Sequence, residues 1–533
     1  MKHKKTILGA GIVLLFSIFA CWPLLGRGYI PTHDGEYHII RFIEFFRMLT
    51  AGYWFPRWAP DLNSGYGIPI FLFHYPFPNY IGSLLQGLGF HAVSAFQLGL
   101  SMAYLLSGFF SFFWLKKIFG IRAGIVGAIL SLYVPYWFVD IYVRGSIGEV
   151  WAICFMYVFL VCVEYRKHIF LPFAVAGLIL SHNILAMLFL PFLFGYTYIR
   201  NKRFMSVIFW GVLLASYFWI PAIFERIYVV GLNTVNFNEH FVQLYELLIP
   251  SWGTELSGQS FNGNKMSLQI GIVPLVVIFG SFIVAWKDKN SRMKHLFLYC
   301  IFFCVCAVVC SLPWSLPLWK YVPFFSFIQY PWRFLSLIIP VTAFLGAYIA
   351  EHLRIRFWSI VLVTAAVGFC YSYTRPVVYA PRDNAYYLSR KNFTDGTSSM
   401  GNSFSTIWSG WKQKRPGVIL EVKNGKARGD FLTYTYLRRS LTVGSDTGSE
   451  VFMPILYFPG WKALIDQKEV SIDYEKDGTI RFIVPPGDHK ITVEFSETLV
   501  RRYADLISVI ALVWIIGWGI LEVYENRHKH VTS

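Results

Sequence analysis

Runs of about 13–20 consecutive apolar residues recur from one end of this chain to the other, and no other feature restricts its fold so strongly. A bilayer core is about 30 Å thick, and a helix rising 1.5 Å per residue crosses it in about 20 residues. Inside lipid every backbone N–H and C=O must be paired within the segment, so such runs become helices. The first run, 7–25, follows the basic start Met1–Lys5 and lacks an A-x-A-like cleavage site, so it reads as a retained signal anchor. Further runs at 95–115, 120–139, 149–165, 169–181, 184–199, 205–223, 268–286, 295–312, 331–350, 357–373 and 503–522 bring the expectation to twelve transmembrane helices. Only 14% of the residues are charged, against about 25% in soluble domains, which leaves too little polar surface for water.

Basic clusters fix the orientation. Lys116-Lys117, Arg166-Lys167-His168, Asn201-Lys202-Arg203, Lys287–His295, Glu351–Arg356 and Glu525–His530 all fall on one side when the runs alternate. The positive-inside rule makes that side cytoplasmic and places both termini there, in a multi-pass cell-membrane protein. The same placement accounts for the net charge of +17 without a nucleic-acid partner. The run at 77–90 is too short to span and would invert every later loop, so it reads as interfacial or re-entrant. The runs at 169–181 and 184–199 form a tight hairpin tipped by Ser181-His182-Asn183. Outside lie 26–94, 140–148, 224–267, Pro313–Gln329 and 374–502. The domains are then a membrane body at 1–373, an extracytoplasmic domain at 374–502, and a last helix with cytoplasmic tail at 503–533. All eight cysteines lie in apolar runs, as small buried hydrophobes, so no disulfide framework holds the outer segments.

The 374–502 segment reads as an antiparallel β-sandwich. Asn424-Gly425 and Asp477-Gly478 are the preferred residues of two-residue hairpins. Pro485-Pro486-Gly487-Asp488 supplies a third turn, and Ile480, Phe482 and Val484 alternate with Arg481 and Ile483 as a half-buried strand does.

Polar chemistry concentrates in the outer loops. The first loop carries His33-Asp34-Gly35-Glu36-Tyr37-His38 and runs into an amphipathic helix. There His38, Arg41, Glu44 and Arg47 form one stripe and Ile39, Ile40, Ile43, Phe46 and Leu49 fill the other face. This helix is expected in the outer headgroup layer with its polar stripe toward water or substrate. Asp34 has three readings: an N-cap, a base that takes a proton from an acceptor hydroxyl, or, with His33 or His38, a ligand for a divalent cation. Arg57, between aromatics, is either a phosphate ligand or an interfacial anchor. His74, beside Tyr75-Pro76, reads as structural. Arg144 and Glu149 stand at the same level, Glu149 also favoured electrostatically at a helix start. His182 and Asn183 at the hairpin tip join them. Arg333, just inside an apolar run, requires a partner, either a lipid phosphate or a carboxylate such as Glu149. No single motif is specific; the signal is that five segments deliver these residues to one face of one bilayer.

With these residues in place, the chain resembles the GT-C superfamily of integral-membrane glycosyltransferases, which take sugars from polyprenyl-phosphate donors on the outer face. His33-Asp34-Gly35-Glu36 occupies the place of the acidic motif after the first helix. The likeness implies Asp34 as catalytic base and Glu36 as a second carboxylate, with His33, His38, Arg57, Arg144, Glu149, His182, Asn183 and Arg333 around the substrate. More narrowly, His33-Asp34…His38, Pro56-Arg57-Trp58, Gly65-Tyr66-Gly67, Arg144-Gly145…Glu149, Ser181-His182-Asn183 and Gln329…Pro331-Trp332-Arg333 resemble a bacterial membrane family labelled 6-pyruvoyl-tetrahydropterin synthase-related. Tyr457-Phe458-Pro459-Gly460-Trp461…Asp466 and Pro486-Gly487-Asp488-His489 are similar to the distal domain of YfhO-like proteins, linked to glycosylation of cell-envelope polymers. The pterin label implies no pterin chemistry, since the three-histidine zinc site of the soluble synthases is absent from the sequence. The expectation is transfer of sugar from a lipid phosphate to an envelope glycan or polymer, with Trp408, Trp411 and Trp461 either stacking on the acceptor or filling a core. A lipid-linked saccharide flippase and a non-catalytic assembly scaffold are the competing classes.

Overall fold

The computed structural model describes the chain except residues 1, 27, 232–235, 259–263, 354, 376–377, 390–402, 410–411, 413 and 532–533. Arg354 and Trp411 of the sequence argument therefore lie outside the described residues. Eight helices are long and apolar enough to cross a membrane, and Leu171–Ser181 and Ile272–Lys287 are shorter apolar helices. Ala92–Leu132 and Asn183–Leu214 each overlap two of the expected apolar runs, and the run at 205–223 continues beyond Leu214 as a separate helix, Ser216–Phe224. Within Ala92–Leu132 the break falls at Gly120 (φ 85°, ψ 175°), a conformation open to glycine but costly for other residues. The run expected at 120–139 ends at Leu132 and continues as a short helix, Pro135–Phe138, and a wide π turn, Val139–Arg144.

The centre of the membrane body is the packing of Ile338–His352 against Ala92–Leu132. Small residues allow the close approach: a Cβ on Gly127 would sit 2.5 Å from the Ala343 carbonyl oxygen and 2.8 Å from Ala347 Cβ. Lipid offers no hydrophobic drive for helices to associate, so backbone approach and close packing carry this contact. The apolar run from Pro331 opens as seven residues of 3₁₀ helix, Pro331–Leu337, long for that geometry and fully buried.

The first-loop helix, Gly35–Thr50, departs from expectation. It does not turn a polar stripe to water: His38, Arg41 and Glu44 are as buried as Ile39, Ile40 and Phe42. The helix Phe77–Gly87 packs on it so closely that a Cβ on Gly82 would meet the Phe42 ring at 2.2 Å. The loop 26–94 folds over its own helix, and the polar stripe becomes an interior surface that must find partners inside the protein.

The distal domain is all antiparallel. One sheet orders β1 (Glu421–Lys423), β4 (Ser449–Leu456) and β7 (Thr479–Val484) as β1-β4-β7. The other orders β2 (Lys426–Tyr434), β3 (Arg438–Ser445), β8 (Gly487–Phe495), β5 (Trp461–Ile465) and β6 (Lys468–Val470) as β2-β3-β8-β5-β6. Ile480, Phe482 and Val484 are buried and Ile483 exposed, as the alternation requires. The turns differ from the simple hairpins expected. Asn424-Gly425 leads from β1 to β2 and Pro485-Pro486 from β7 to β8, and in each case the two strands belong to different sheets. Asn424 (φ 58°) and Gly487 (φ 116°) bend the chain across the sandwich rather than back along one sheet. Asp477-Gly478 closes a loop through Gly478 N–H to Tyr474 C=O (2.9 Å) and the isolated bridge Asp473–Arg481. Trp461 is core: its ring lies 5.5 Å from Trp58 of the first loop and 5.4 Å from Phe495. Trp408 is partly exposed, in an aromatic group with Tyr228, Tyr457 and Tyr474.

Candidate active site

The site is assembled on the backbone. His33 and Asp34 donate their N–H groups to the carbonyls of Val143 (3.0 Å) and Arg144 (2.7 Å), tying the start of the first-loop helix to the π turn. Gly145, left-handed at φ 66°, ends that turn. A Cβ there would strike Thr32 Oγ1 at 2.3 Å, so the contact requires glycine on both counts. π turns of this kind gather at functional sites because they re-aim side chains.

Around this junction lies a closed ionic group. Glu149, on the first turn of Ile147–Glu164 and wholly buried, accepts from Arg144 (2.8 Å), Arg333 (3.0 Å) and the Tyr136 hydroxyl (2.9 Å). Arg144 also pairs with buried Asp140 at 2.5 Å and lies 4.6 Å from the Trp332 ring. Arg333 donates further to Ile328 C=O (2.8 Å) and Gln329 Oε1 (2.9 Å). Of the two partners expected for Arg333, the structure therefore supplies Glu149. Buried charges persist only when paired and hydrogen-bonded, and here one carboxylate answers two guanidinium groups. Burial, then the nearby Glu149, raises the Asp140 carboxyl well above its ordinary range.

Asp34 stands at the rim of this group. Its side chain is 43% exposed, and one carboxylate oxygen lies 4.0 Å from Arg144 Nη2. It occupies the N-cap position of Gly35–Thr50 but makes no capping hydrogen bond. Glu36, two residues on, faces away and pairs with Arg382, with the Tyr387 hydroxyl 3.5 Å off. His33 Nε2 lies 2.6 Å from Thr254 C=O and fastens the loop 224–267 to the start of the first-loop helix.

Three histidines pack behind the rim. His38 lies 5.4 Å from His74 and stacks on Phe96 at 6.0 Å. Burial first, then Arg41, lowers both His38 and His74 well below the ordinary imidazole range, so both are neutral. His182 accepts the Leu185 N–H on Nδ1 (3.1 Å), capping Asn183–Asn201. That bond assigns the ring proton to Nε2, which lies 3.8 Å from Glu149. Burial lowers this imidazole to about 3, with Glu149 opposing the shift. Asn183 turns back on the next residue, accepting from Ile184 N–H (3.0 Å).

Arg57 is elsewhere. It is buried against Asp505 (2.7 Å), Glu497 (3.4 Å) and Tyr217 C=O (2.8 Å), where the last helix meets the first loop. The site thus unites Asp34, Arg144, Glu149, His182 and Arg333, with His38 behind; it leaves Arg57 out and sets Glu36 and Asn183 to the side. Sequence reasoning did not single out Tyr75, Tyr136 and Trp332, which pack into this group, while His74 is buried as its structural reading expects. The only available signal was a polar or aromatic residue beside a proline at the mouth of an apolar run. Among the described residues no group of three or more His, Cys, Asp or Glu is arranged to hold a metal ion.

Several known proteins are similar to this chain in part. Arabinofuranosyltransferase AftD from Mycobacteria is 14% identical, with a TM-score of 0.45 over 70% of this chain and 27% of that one. The oligosaccharyltransferase of Archaeoglobus fulgidus in its apo form is 13% identical, with a TM-score of 0.41 over 74% and 56% of the two chains. ArnT from Cupriavidus metallidurans, bound to undecaprenyl phosphate, is 16% identical, with a TM-score of 0.38 over 72% and 68%. A protein of Lactococcus lactis subsp. cremoris (strain MG1363), itself described as uncharacterized, is 24% identical over 201 residues, spanning 35% of this chain and 32% of that protein. Residues 71–377 match the family model of the 6-pyruvoyl-tetrahydropterin synthase related domain, described as a membrane protein, and the chain belongs to that family.

Proposed function

We propose that this protein is a membrane glycosyltransferase that moves a sugar from a polyprenyl-phosphate donor to a hydroxyl of an envelope glycan or polymer on the outer face of the membrane. The observation that carries this reading is Asp34: a half-exposed carboxylate, free of its capping duty, at the edge of a buried group rich in arginine. Such a carboxylate takes the proton of an acceptor hydroxyl. The acceptor oxygen then bonds to the anomeric carbon, the carbon–oxygen bond to the phosphate breaks, and its electron pair leaves on the phosphate oxygen. Arg144 and Arg333 supply positive potential behind that departing charge. The resemblance of His33-Asp34-Gly35-Glu36 to the acidic motif of GT-C enzymes supports the same role. Glu36, neutralised by Arg382, is assigned to holding the segment around 380–387 over the first loop.

Asp34→Asn in membranes, scored by transfer of label from polyprenyl-phosphate sugars to envelope polymer, tests the reading. A general base contributes about 10²–10⁴-fold, so a loss of at least 100-fold at unchanged protein level is expected. Full activity would remove Asp34 as the base. No transfer by the unmutated protein from any donor would favour a flippase or scaffold.

A further inference from the structure

Tyr75 lies among the three histidines behind the rim, within electrostatic reach of Asp34, Arg41, Glu149 and Arg333, and its ring is held on several sides. The ring centroid lies 4.0 Å from His74, 4.8 Å from His182 and 6.2 Å from His38. Its edge presses on Gly148: a Cβ there would stand 2.3 Å from Cε2 and 2.4 Å from Cζ. Gly148 directly precedes Glu149, so the phenol is registered against the helix turn that carries the shared carboxylate.

Being so held, the hydroxyl is nonetheless unspent. His74 and Pro76 are buried, while Tyr75 is partly exposed. Its hydroxyl makes no hydrogen bond among the described residues. The charged groups that act on it are Asp34, Arg41, Glu149 and Arg333. Burial, then Asp34, raises the phenol, which therefore keeps its proton at every physiological pH and can only donate or accept a neutral hydrogen bond. Tyr136, by contrast, spends its hydroxyl on Glu149.

We propose that Tyr75 donates a hydrogen bond to the phosphate oxygen that leaves with the polyprenyl carrier, a role that rests on the glycosyltransferase reading above. As the anomeric carbon–oxygen bond breaks, the electron pair settles on that oxygen and the Tyr75 hydrogen bond shortens. The proton stays on Tyr75, and the acceptor's proton goes to Asp34. A phenol suits the position because it strengthens toward an anion without adding a charge that Glu149 would have to balance.

The test uses purified full-length protein and Tyr75→Phe, which keeps the ring between its histidines and removes one oxygen. Binding of undecaprenyl phosphate, undecaprenol and inorganic phosphate is measured for the unmutated protein, Tyr75→Phe and Asp34→Asn, with thermal stability recorded for each. Tyr75→Phe is expected to weaken undecaprenyl phosphate about 10-fold, as loss of a charge-assisted hydrogen bond does, while undecaprenol binding and melting temperature hold. Asp34→Asn is expected to bind undecaprenyl phosphate normally, so failure of the base assignment shows in transfer alone and leaves Tyr75 standing. Equal binding of undecaprenyl phosphate by Tyr75→Phe and the unmutated protein overturns the proposal, as does an equal loss of phosphate and alcohol, which marks the phenol as packing only. Binding of inorganic phosphate as tightly as the lipid phosphate would assign the hydroxyl to a free anion and overturn the leaving-group role.

Discussion

Two buried arginine networks in this protein look alike on paper and do different work. In one, Arg144 and Arg333 share Glu149 beneath the rim carboxylate Asp34. In the other, wholly buried Arg501 pairs with Glu225 at 2.9 Å and reaches the carbonyl of Pro459 at 2.7 Å, while Arg57 beside it holds Asp505 and Glu497. The second network joins the first loop, the segment after Ser216–Phe224, the β domain and the last helix. It has a carbonyl or carboxylate for each arginine, and its two half-exposed carboxylates, Glu497 and Asp505, are both engaged by Arg57 at 3.4 and 2.7 Å. The first ends on Asp34 and Tyr75, both partly exposed and, among the described residues, lacking a close hydrogen-bond partner for their side-chain oxygens. A buried arginine is thus no mark of a substrate site. What distinguishes the two is a functional group left over after the charges have been paired.

The comparison breaks most readily at its shared carboxylate. Glu149→Ala leaves buried Arg333 without a carboxylate and Arg144 with Asp140 as its close carboxylate, and removing one partner of a buried pair costs about 3–5 kcal/mol. A large fall in melting temperature in detergent, with loss of transfer, is the expected outcome. A variant as stable as the unmutated protein would show that Asp140 alone can hold both arginines.

The clamp network should behave differently under double substitution. Arg501→Met leaves buried Glu225 unpaired and should cost about 3 kcal/mol; Arg501→Met with Glu225→Leu should recover much of it, since a buried pair often breaks even against apolar residues. Melting temperatures of both variants measure this. Were transfer lost in the double variant at full stability, the clamp would have to be counted as part of the site.

The smallest effect sharpens the contrast by pH. Burial, then repulsion from Asp61, pushes the Glu44 carboxyl up to about 7, from an ordinary value of 4.5. Arg47 at 2.9 Å and the Asp61 N–H at 3.2 Å oppose the shift. Below about 4.5 the group is protonated in both folded and unfolded chains and contributes nothing. As pH rises from 4.5 to 7 the unfolded chain ionises first, so stability falls, by about 3 kcal/mol once pH exceeds 7. Glu44→Gln should flatten this slope in melts taken from pH 4.5 to 8; an unchanged slope would place the titration elsewhere.

Much of this was readable from residue order. Length and apolarity of the runs suffice for the helices, because lipid permits no other spanning structure, and alternation with Asn-Gly and Asp-Gly suffices for the β class. Pairing was not readable. Asn424-Gly425 specifies a bend but not which sheet the next strand joins, since that depends on partners dozens of residues away. The stripe His38–Arg41–Glu44 has the periodicity of a surface helix, and only the chain that folds over it reveals an interior face. Arg57 and Arg333 are both arginines beside tryptophan near a membrane boundary, yet tertiary contacts send one to the clamp and the other to Glu149. Asp34 was singled out from residue order by its place in His33-Asp34-Gly35-Glu36, soon after the first apolar run. Tyr75 was not, because its significance lies in Gly148 and His182, from two other segments.

The N–H bond from Asp34 to the Arg144 carbonyl has one further consequence. It registers the Asp34 carboxylate and the Arg144 guanidinium to each other through peptide planes and not through the rotamers of either side chain. Replacing one of the two should leave the other's Cα where it stands. Single substitutions here act as edits to a fixed frame, and a kinetic change at either position can be read as chemistry rather than as drift of the loop.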